Sequence, residues 1–183
     1  VQSTGIAIYD REGALKTVGI ISFVDDGFIF IENRGDHMML YPPRKDRPTR
    51  QNETGEPLKV ATLLRRMYNL RDLPIFTQGA TWNMNCASGF AVLGIDKGTI
   101  DTIIDPIKGN PWYEVAIWGA AAQALGYPMS DKEGNPIDMS HIVRRVIQKH
   151  EGDSFRIPFV ISRTPEIHQQ VLSLLKPQDT HPK

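Results

Sequence analysis

Asn83-Met84-Asn85-Cys86-Ala87-Ser88-Gly89-Phe90-Ala91-Val92-Leu93-Gly94-Ile95-Asp96-Lys97-Gly98-Thr99-Ile100-Asp101-Thr102-Ile103-Ile104-Asp105 is the stretch whose reading decides the fold. Residues 85–93 form a small-residue apolar run that suits either a helix or a strand, because so short a run shows no clear period. Thr99 to Ile104 is apolar and β-branched, which predicts a strand ended by Asp105-Pro106. Upstream, Leu58, Ala61, Leu64 and Tyr68 fall at helical spacing and predict a helix over 58–70, with Arg65 and Arg66 beside its apolar stripe. A short strand, Leu73 to Thr77, follows it.

Helix, short strand, polar turn, small-residue helix and strand over residues 58–105 resemble the core of the ParB/sulfiredoxin fold. Members of that family run from a helix to a Pro-Ile-type strand and a phosphate-contacting turn, then to a helix ending in a leucine–glycine pair and a strand. Leu73-Pro74-Ile75-Phe76 and Leu93-Gly94-Ile95-Asp96-Lys97 followed by Thr99 to Ile104 carry the likeness, over about 48 of the 183 residues. The family's turn usually offers arginine to phosphate. Here it falls on Asn83 to Cys86 or on Asn85 to Ser88, and neither register contains an arginine. Phosphate, and with it ATP, would then rest on helix N-terminal amides plus Asn83, Asn85 or Ser88.

As a whole the chain is similar to the oncogenic-suppression (fertility-inhibition) proteins of conjugative plasmids. That resemblance implies a cytoplasmic protein that restricts DNA transfer through a type IV secretion system. It implies DNA and the secretion system's coupling or channel components as partners, and DNase activity with an associated ATPase. A non-catalytic inhibitor binding a secretion-system or DNA-processing protein is the alternative.

Outward from this stretch, residues 1–56 are β-rich. Gly5 to Tyr9 is stopped by Asp10-Arg11-Glu12-Gly13, and Asp25-Asp26-Gly27 separates two β-branched and aromatic runs, a strong hairpin signal. A further strand is expected near His37 to Tyr41. Residues 42–57 read as a long polar surface loop. On the carboxyl side, a buried helix is expected from Trp112 to about Leu125, opened by Pro111 and stopped at Gly126. A helix over Met139 to His150, a strand over Phe155 to Ser162 and a helix from Thr164-Pro165-Glu166 to Leu175 complete the pattern. The expected fold class is α/β: one domain over 1–183, with a mixed sheet, a ParB/sulfiredoxin-like core at 58–105, an N-terminal β meander and a helical part at 111–175.

Composition sets bounds. Hydrophobic residues make up 40 % and charged residues 23 %, a globular profile. The formal net charge is zero, so no global field draws in a polyanion and any DNA contact needs a local basic patch. One cysteine, Cys86, excludes an internal disulfide and a multi-cysteine zinc site. No apolar run approaches the length of a membrane span, and Val1-Gln2-Ser3-Thr4 shows no signal-peptide pattern.

Asp101 and Asp105, four apart on a predicted strand, share one face, and with Glu114 they form a candidate Mg²⁺ site for a nuclease, since Mg²⁺ takes oxygen ligands. Ordinary turn capping competes with that reading. His141 is a candidate for proton transfer, against a surface role in a helical turn capped by Asp138 or Ser140. Arg44, Lys45, Arg47, Arg50, Arg65, Arg66, Arg144 and Arg145 could follow a phosphate backbone, though such runs also serve as solvated faces. Cys86 is either a nucleophile or a buried inert thiol.

Overall fold

The computed structural model describes residues 3–22, 28–34, 38–41, 56–62, 73–78, 80–83, 88–149 and 155–176. Its first sheet is an antiparallel meander of β1 (Ser3–Tyr9), β2 (Leu15–Ser22), β3 (Phe28–Asn33) and β4 (Met38–Tyr41), hydrogen-bonded in that order. The Asp10–Gly13 cluster makes the first turn, where Asp10 Oδ1 accepts the amides of Glu12 (3.1 Å) and Ala14 (2.8 Å). The expected meander is thus a sheet of its own, not hydrogen-bonded to the second.

The second sheet contains β5 (Lys59–Ala61), β6 (Thr81–Asn83), β7 (Thr102–Pro111), β8 (Met129–Ser130) and β9 (Arg156–Ser162) in the order β6-β5-β7-β9-β8. β5 runs parallel to β6 and β7, whereas β9 is antiparallel to β7 and β8. Five helices accompany the sheets among the described residues: α1 (Pro74–Thr77), α2 (Ser88–Asp96), α3 (Trp112–Ala124), α4 (Met139–Lys149) and α5 (Pro165–Leu174).

These elements stack as sheet, helices, sheet, helices. Val18, Ile20, Ile29 and Ile31 of the first sheet meet α2 and α3, whose far sides meet Ala61, Ile103, Phe159 and Ile161 of the second. On the second sheet's other face, Val60, Ile104 and Val160 pack with Ile75 of α1 and with Ile167, Val171 and Leu172 of α5. Alternate residues of β5, β7 and β9 therefore enter different cores, the period of two that a doubly covered sheet requires. α3 fits between two sheets because its middle is small: Ala116, Gly119, Ala120, Ala121 and Ala122 are all buried, as expected for 116–122. Trp118 fills the remaining space against Phe159, ring centroids 4.4 Å apart.

The mixed α/β class and α3, α4, β9 and α5 match the sequence reading, whereas the short strand β8 was not expected. The ParB/sulfiredoxin-like core does not match it. Lys59–Ala61 is a strand where a helix was expected, and Pro74–Thr77 is a helical turn where a strand was expected. Val60 and Ala61 lie between two neighbouring strands and are completely buried, so burial on both faces outweighs a helical spacing that rested on few residues. Pro74 suits the first turn of a helix, where its missing N–H is not needed. The ambiguous run at 85–93 is helical from Ser88 onward. β7 does not stop at Asp105-Pro106; its pairing with β9 resumes at Asn110 after a register shift, and a proline is tolerated in such a bulge.

Candidate functional site

In open α/β sheets, ligands bind beyond the carboxyl ends of parallel strands. Here that end belongs to β5, β6 and β7. Ala61 pairs with both Asn83 and Ile103, so Thr62, Asn83 and the Ile104–Asp105 segment come level there. Four residues separate Asn83 from Ser88, the first residue of α2, so this helix starts close to the same end in sequence. Its first-turn amides lack intrahelical acceptors and favour an anion. Thr62 is 3 % exposed, and its hydroxyl has no hydrogen-bond partner among the described residues. Leaving a buried hydroxyl unpaired costs about 1–3 kcal/mol, an expense that a bound ligand would remove.

Asp105 closes the next turn of chain. Its Oδ1 accepts the Gly109 amide at 3.0 Å, and Arg156 donates from Nη1 to the Gly109 carbonyl at 3.1 Å. Gly109 has φ +67°, and the bulge it shapes pushes Ile107 and Lys108 into solvent. The chain then enters α3 through Pro111, placing Trp112, exposed Tyr113 and half-buried Glu114 in the helix's first turn.

Asp101 lies at the opposite end of β7. Its Oδ1 forms a buried ion pair with Arg163 Nη2 (3.0 Å), and its Oδ2 accepts the Lys59 amide (3.0 Å). Four residues of strand separate Asp101 and Asp105 by about 13 Å of rise, too far for bonds of about 2.1 Å to one Mg²⁺. The two aspartates accept from different stretches of backbone, Asp101 from Lys59 and Asp105 from Gly109. Among the described residues no group of three or more His, Cys, Asp or Glu side chains could hold a metal ion, so the Asp101, Asp105 and Glu114 set does not fit a divalent centre.

The remaining candidates are dispersed. His141 is exposed on α4, and its amide donates to Asp138 Oδ1 at 3.2 Å, the capping arrangement weighed against catalysis. Arg144 donates from Nε to the Glu12 carbonyl (2.7 Å), and Arg145 lies over the Phe155 ring, 5.7 Å from its centroid. Both side chains therefore take part in packing α4. Asn83 ends β6 and Ser88 begins α2. Asn85, Cys86, Arg44, Lys45, Arg47, Arg50, Arg65 and Arg66 lie outside the described residues.

Sequence reading missed Thr62, Arg163 and a buried polar chain. In that chain His168 contacts Ser130 Oγ through Nε2 (2.8 Å) and Ser162 Oγ through Nδ1 (3.2 Å), and Ser162 contacts Thr102 Oγ1 (3.0 Å). Burial pushes the His168 imidazole below its ordinary pKa and keeps it neutral, so it acts as a structural tie between α5, β8, β9 and β7.

No protein-family model matches the chain, and no curated protein matches it. Solved structures do. An inositol monophosphatase/NADP phosphatase complexed with Mg²⁺ and phosphate superposes with TM-score 0.60 at 16 % identity, covering 94 % of this chain and 58 % of that one. A dual-specific enzyme of the same description, bound to D-inositol-1-phosphate, gives 0.61 at 15 % identity, with coverages of 91 % and 58 %. A Pyrococcus horikoshii protein with similarities to inositol-1 monophosphatase gives 0.62 at 10 % identity, with coverages of 95 % and 62 %. The likeness is one of fold, and the chain spans about three-fifths of the length of these neighbours.

This fold replaces the ParB/sulfiredoxin and fertility-inhibition resemblances. With them go DNase action in conjugation, the secretion-system inhibitor alternative, and DNA and secretion components as partners. The molecules held by these neighbours are small phosphates, and ATP is not among them. No described helix is long and apolar enough to cross a membrane.

Proposed function

We propose that this chain recognises the phosphate group of small phosphorylated molecules, the substrate side of a phosphatase-type reaction. The ligand class is a polyol monophosphate or a 2′-phosphorylated dinucleotide. The phosphate sits beyond the carboxyl ends of β5 and β6. There the first-turn amides of α2 approach it, and the Thr62 hydroxyl donates to it. Asp105 and Glu114 face the uncharged hydroxyls of the ligand and orient them as acceptors. Mg²⁺ would accompany the phosphate, as the two are found together in one of the fold neighbours.

One observation carries this reading: a buried Thr62 hydroxyl without a described partner stands at the parallel-strand end of a fold whose neighbours were solved with phosphate and D-inositol-1-phosphate. Thermal unfolding in the presence of Mg²⁺ tests it. D-inositol-1-phosphate and NADP are expected to raise Tm by about 5–10 °C at roughly a hundredfold excess over Kd. Inositol and NAD, which lack the monoester phosphate, are expected to leave Tm unchanged. Equal shifts with and without that phosphate, or no shift with any of the four, would refute phosphate recognition.

A further inference from the structure

Thr102, Ser162, His168 and Ser130 are all buried, and their contacts fix which atom holds each proton. A hydroxyl has one proton to donate. Thr102 donates its own to the Ile161 carbonyl at 2.8 Å. The 3.0 Å contact between Thr102 and Ser162 therefore uses the Ser162 proton. Ser162 is then an acceptor towards His168, so the imidazole carries its proton on Nδ1. Nε2 keeps its lone pair and accepts from Ser130 Oγ at 2.8 Å. The opposite tautomer would leave two buried hydroxyl oxygens 3.0 Å apart with no proton between them.

Ser130 has a second acceptor within reach. Its Oγ lies 2.7 Å from the Asp131 carbonyl, which already accepts the Gly134 amide at 3.2 Å. A solvent proton arriving at Nε2 would find its acceptor in place: Nε2–H donates to Ser130 Oγ, and the Ser130 proton turns to the Asp131 carbonyl. Every hydrogen bond around the imidazole is then still made, and only the charge is new.

That charge is unwelcome. His168 is 5 % exposed and ends the first turn of α5, near the positive pole of the helix. The charged groups around it do not offset a cation. Asp131 follows Ser130, but its carboxylate is engaged by the Asn135 side chain and by the Glu133 and Asn135 amides. Asp101 and Arg163, next to Thr102 and Ser162, neutralise each other. Asp105, Lys108 and Arg156 lie farther along β7 and β9. α1 contains no titratable residue, and Glu166 on α5 is exposed.

We infer that His168 and Ser130 form an acid-sensitive latch on α5. With a neutral imidazole, the hydroxyl chain ties α5 to β7, β8 and β9. Protonation at Nε2 favours conformers in which the imidazole reaches water, and α5 then lifts from Val60, Ile104 and Val160 on the second sheet. Burial lowers the folded-state pKa of His168. The latch therefore holds fully above about pH 6.5, the value of an unfolded histidine, and weakens as pH falls below it.

Two measurements on the whole chain test the latch. Long-range ¹H–¹⁵N spectra of the His168 ring at neutral pH are expected to show a protonated Nδ1, a bare Nε2 and a titration midpoint below the ordinary histidine value. Hydrogen exchange of the α5 amides, corrected for the pH dependence of an unstructured chain, is expected to lose protection by about tenfold per pH unit below about pH 6, until the folded-state midpoint is reached. His168→Gln is expected to flatten that dependence. A protonated Nε2 at neutral pH, a midpoint at or above the ordinary value, or α5 protection that ignores pH in the wild type would each overturn the inference. So would an equal pH dependence in His168→Gln. The ring spectra need no variant, so they decide the matter even if His168→Gln does not fold.

Discussion

Gly109→Ala is expected to be among the most damaging single-methyl changes in this protein, costing about 3–5 kcal/mol of stability. Two effects add. At φ +67° an alanine pays for a left-handed backbone, worth about 1 kcal/mol or somewhat more. Its Cβ would also overlap the Ile157 carbonyl group and the Pro158 nitrogen, which are backbone atoms of β9 and cannot rotate away. Relief requires β7 and β9 to separate, which loosens the Asp105–Gly109 and Arg156–Gly109 hydrogen bonds together. Urea unfolding followed by circular dichroism reads the loss directly. Gly126→Ala is the control. Gly126 has φ +78°, but its added Cβ would meet nothing within 4 Å, so only the backbone penalty of about 1 kcal/mol is expected. Similar losses at the two positions would show that the close approach of β7 to β9 is not what demands glycine.

The second large effect belongs to the Asp101–Arg163 pair. Both side chains are buried, at 4 % and 7 % exposure, so removing either leaves a charge in a poorly hydrated place. Asp101→Ala and Arg163→Ala are each expected to cost about 3–5 kcal/mol. Asp101→Ala also strips the Lys59 amide of its acceptor, which disturbs β5 where it joins the sheet. The double variant should lose less than the sum of the single losses by about 1–3 kcal/mol, because the second deletion removes an already orphaned charge. Strict additivity in urea melts would show that the two side chains do not act as a pair.

How legible these features were in the sequence depended on range. The meander was readable because Asp10 to Gly13 is a local turn cluster and the β-branched runs beside it are long enough to show their character. α3 was readable from Pro111 at its entry and Gly126 past its end, and its burial from an alanine-rich middle. β5 was not. Three residues contain less than one helical turn of information, and Leu58 and Ala61 happen to sit at helical spacing while their burial comes from sheets on either side. The same limit hid the candidate site. Thr62 becomes interesting only when β5 is known to lie parallel to β6 and β7, a pairing that joins residues about 20 and 40 positions apart.

Long range also explains the carboxylates. Asp101 and Asp105 were sensible metal candidates as neighbours on one strand face. What settles Asp101 is Arg163, which no local pattern connects to it, and what engages Asp105 is the amide of a bulge that the Asp-Pro step had disguised as a strand end. His141 was correctly placed near a helix start, where its amide donates to Asp138 three residues earlier. Asn83 and Ser88 were singled out for phosphate on the strength of a turn and a helix N-terminus. The proposed phosphate site draws on the same physics, because amides at a helix start attract anions in any architecture.

Phosphate binding beyond the carboxyl ends of β5 and β6 underlies the proposed function. Titrating the ¹⁵N-labelled protein with inorganic phosphate in the presence of Mg²⁺, and following backbone amide resonances, tests it most directly. Saturable shifts are predicted at Thr62, at Ser88, Gly89 and Phe90 in the first turn of α2, and at Asp105. Shifts confined to other surfaces, such as the Arg144–Arg145 side of α4, or none that saturate, would contradict the claim.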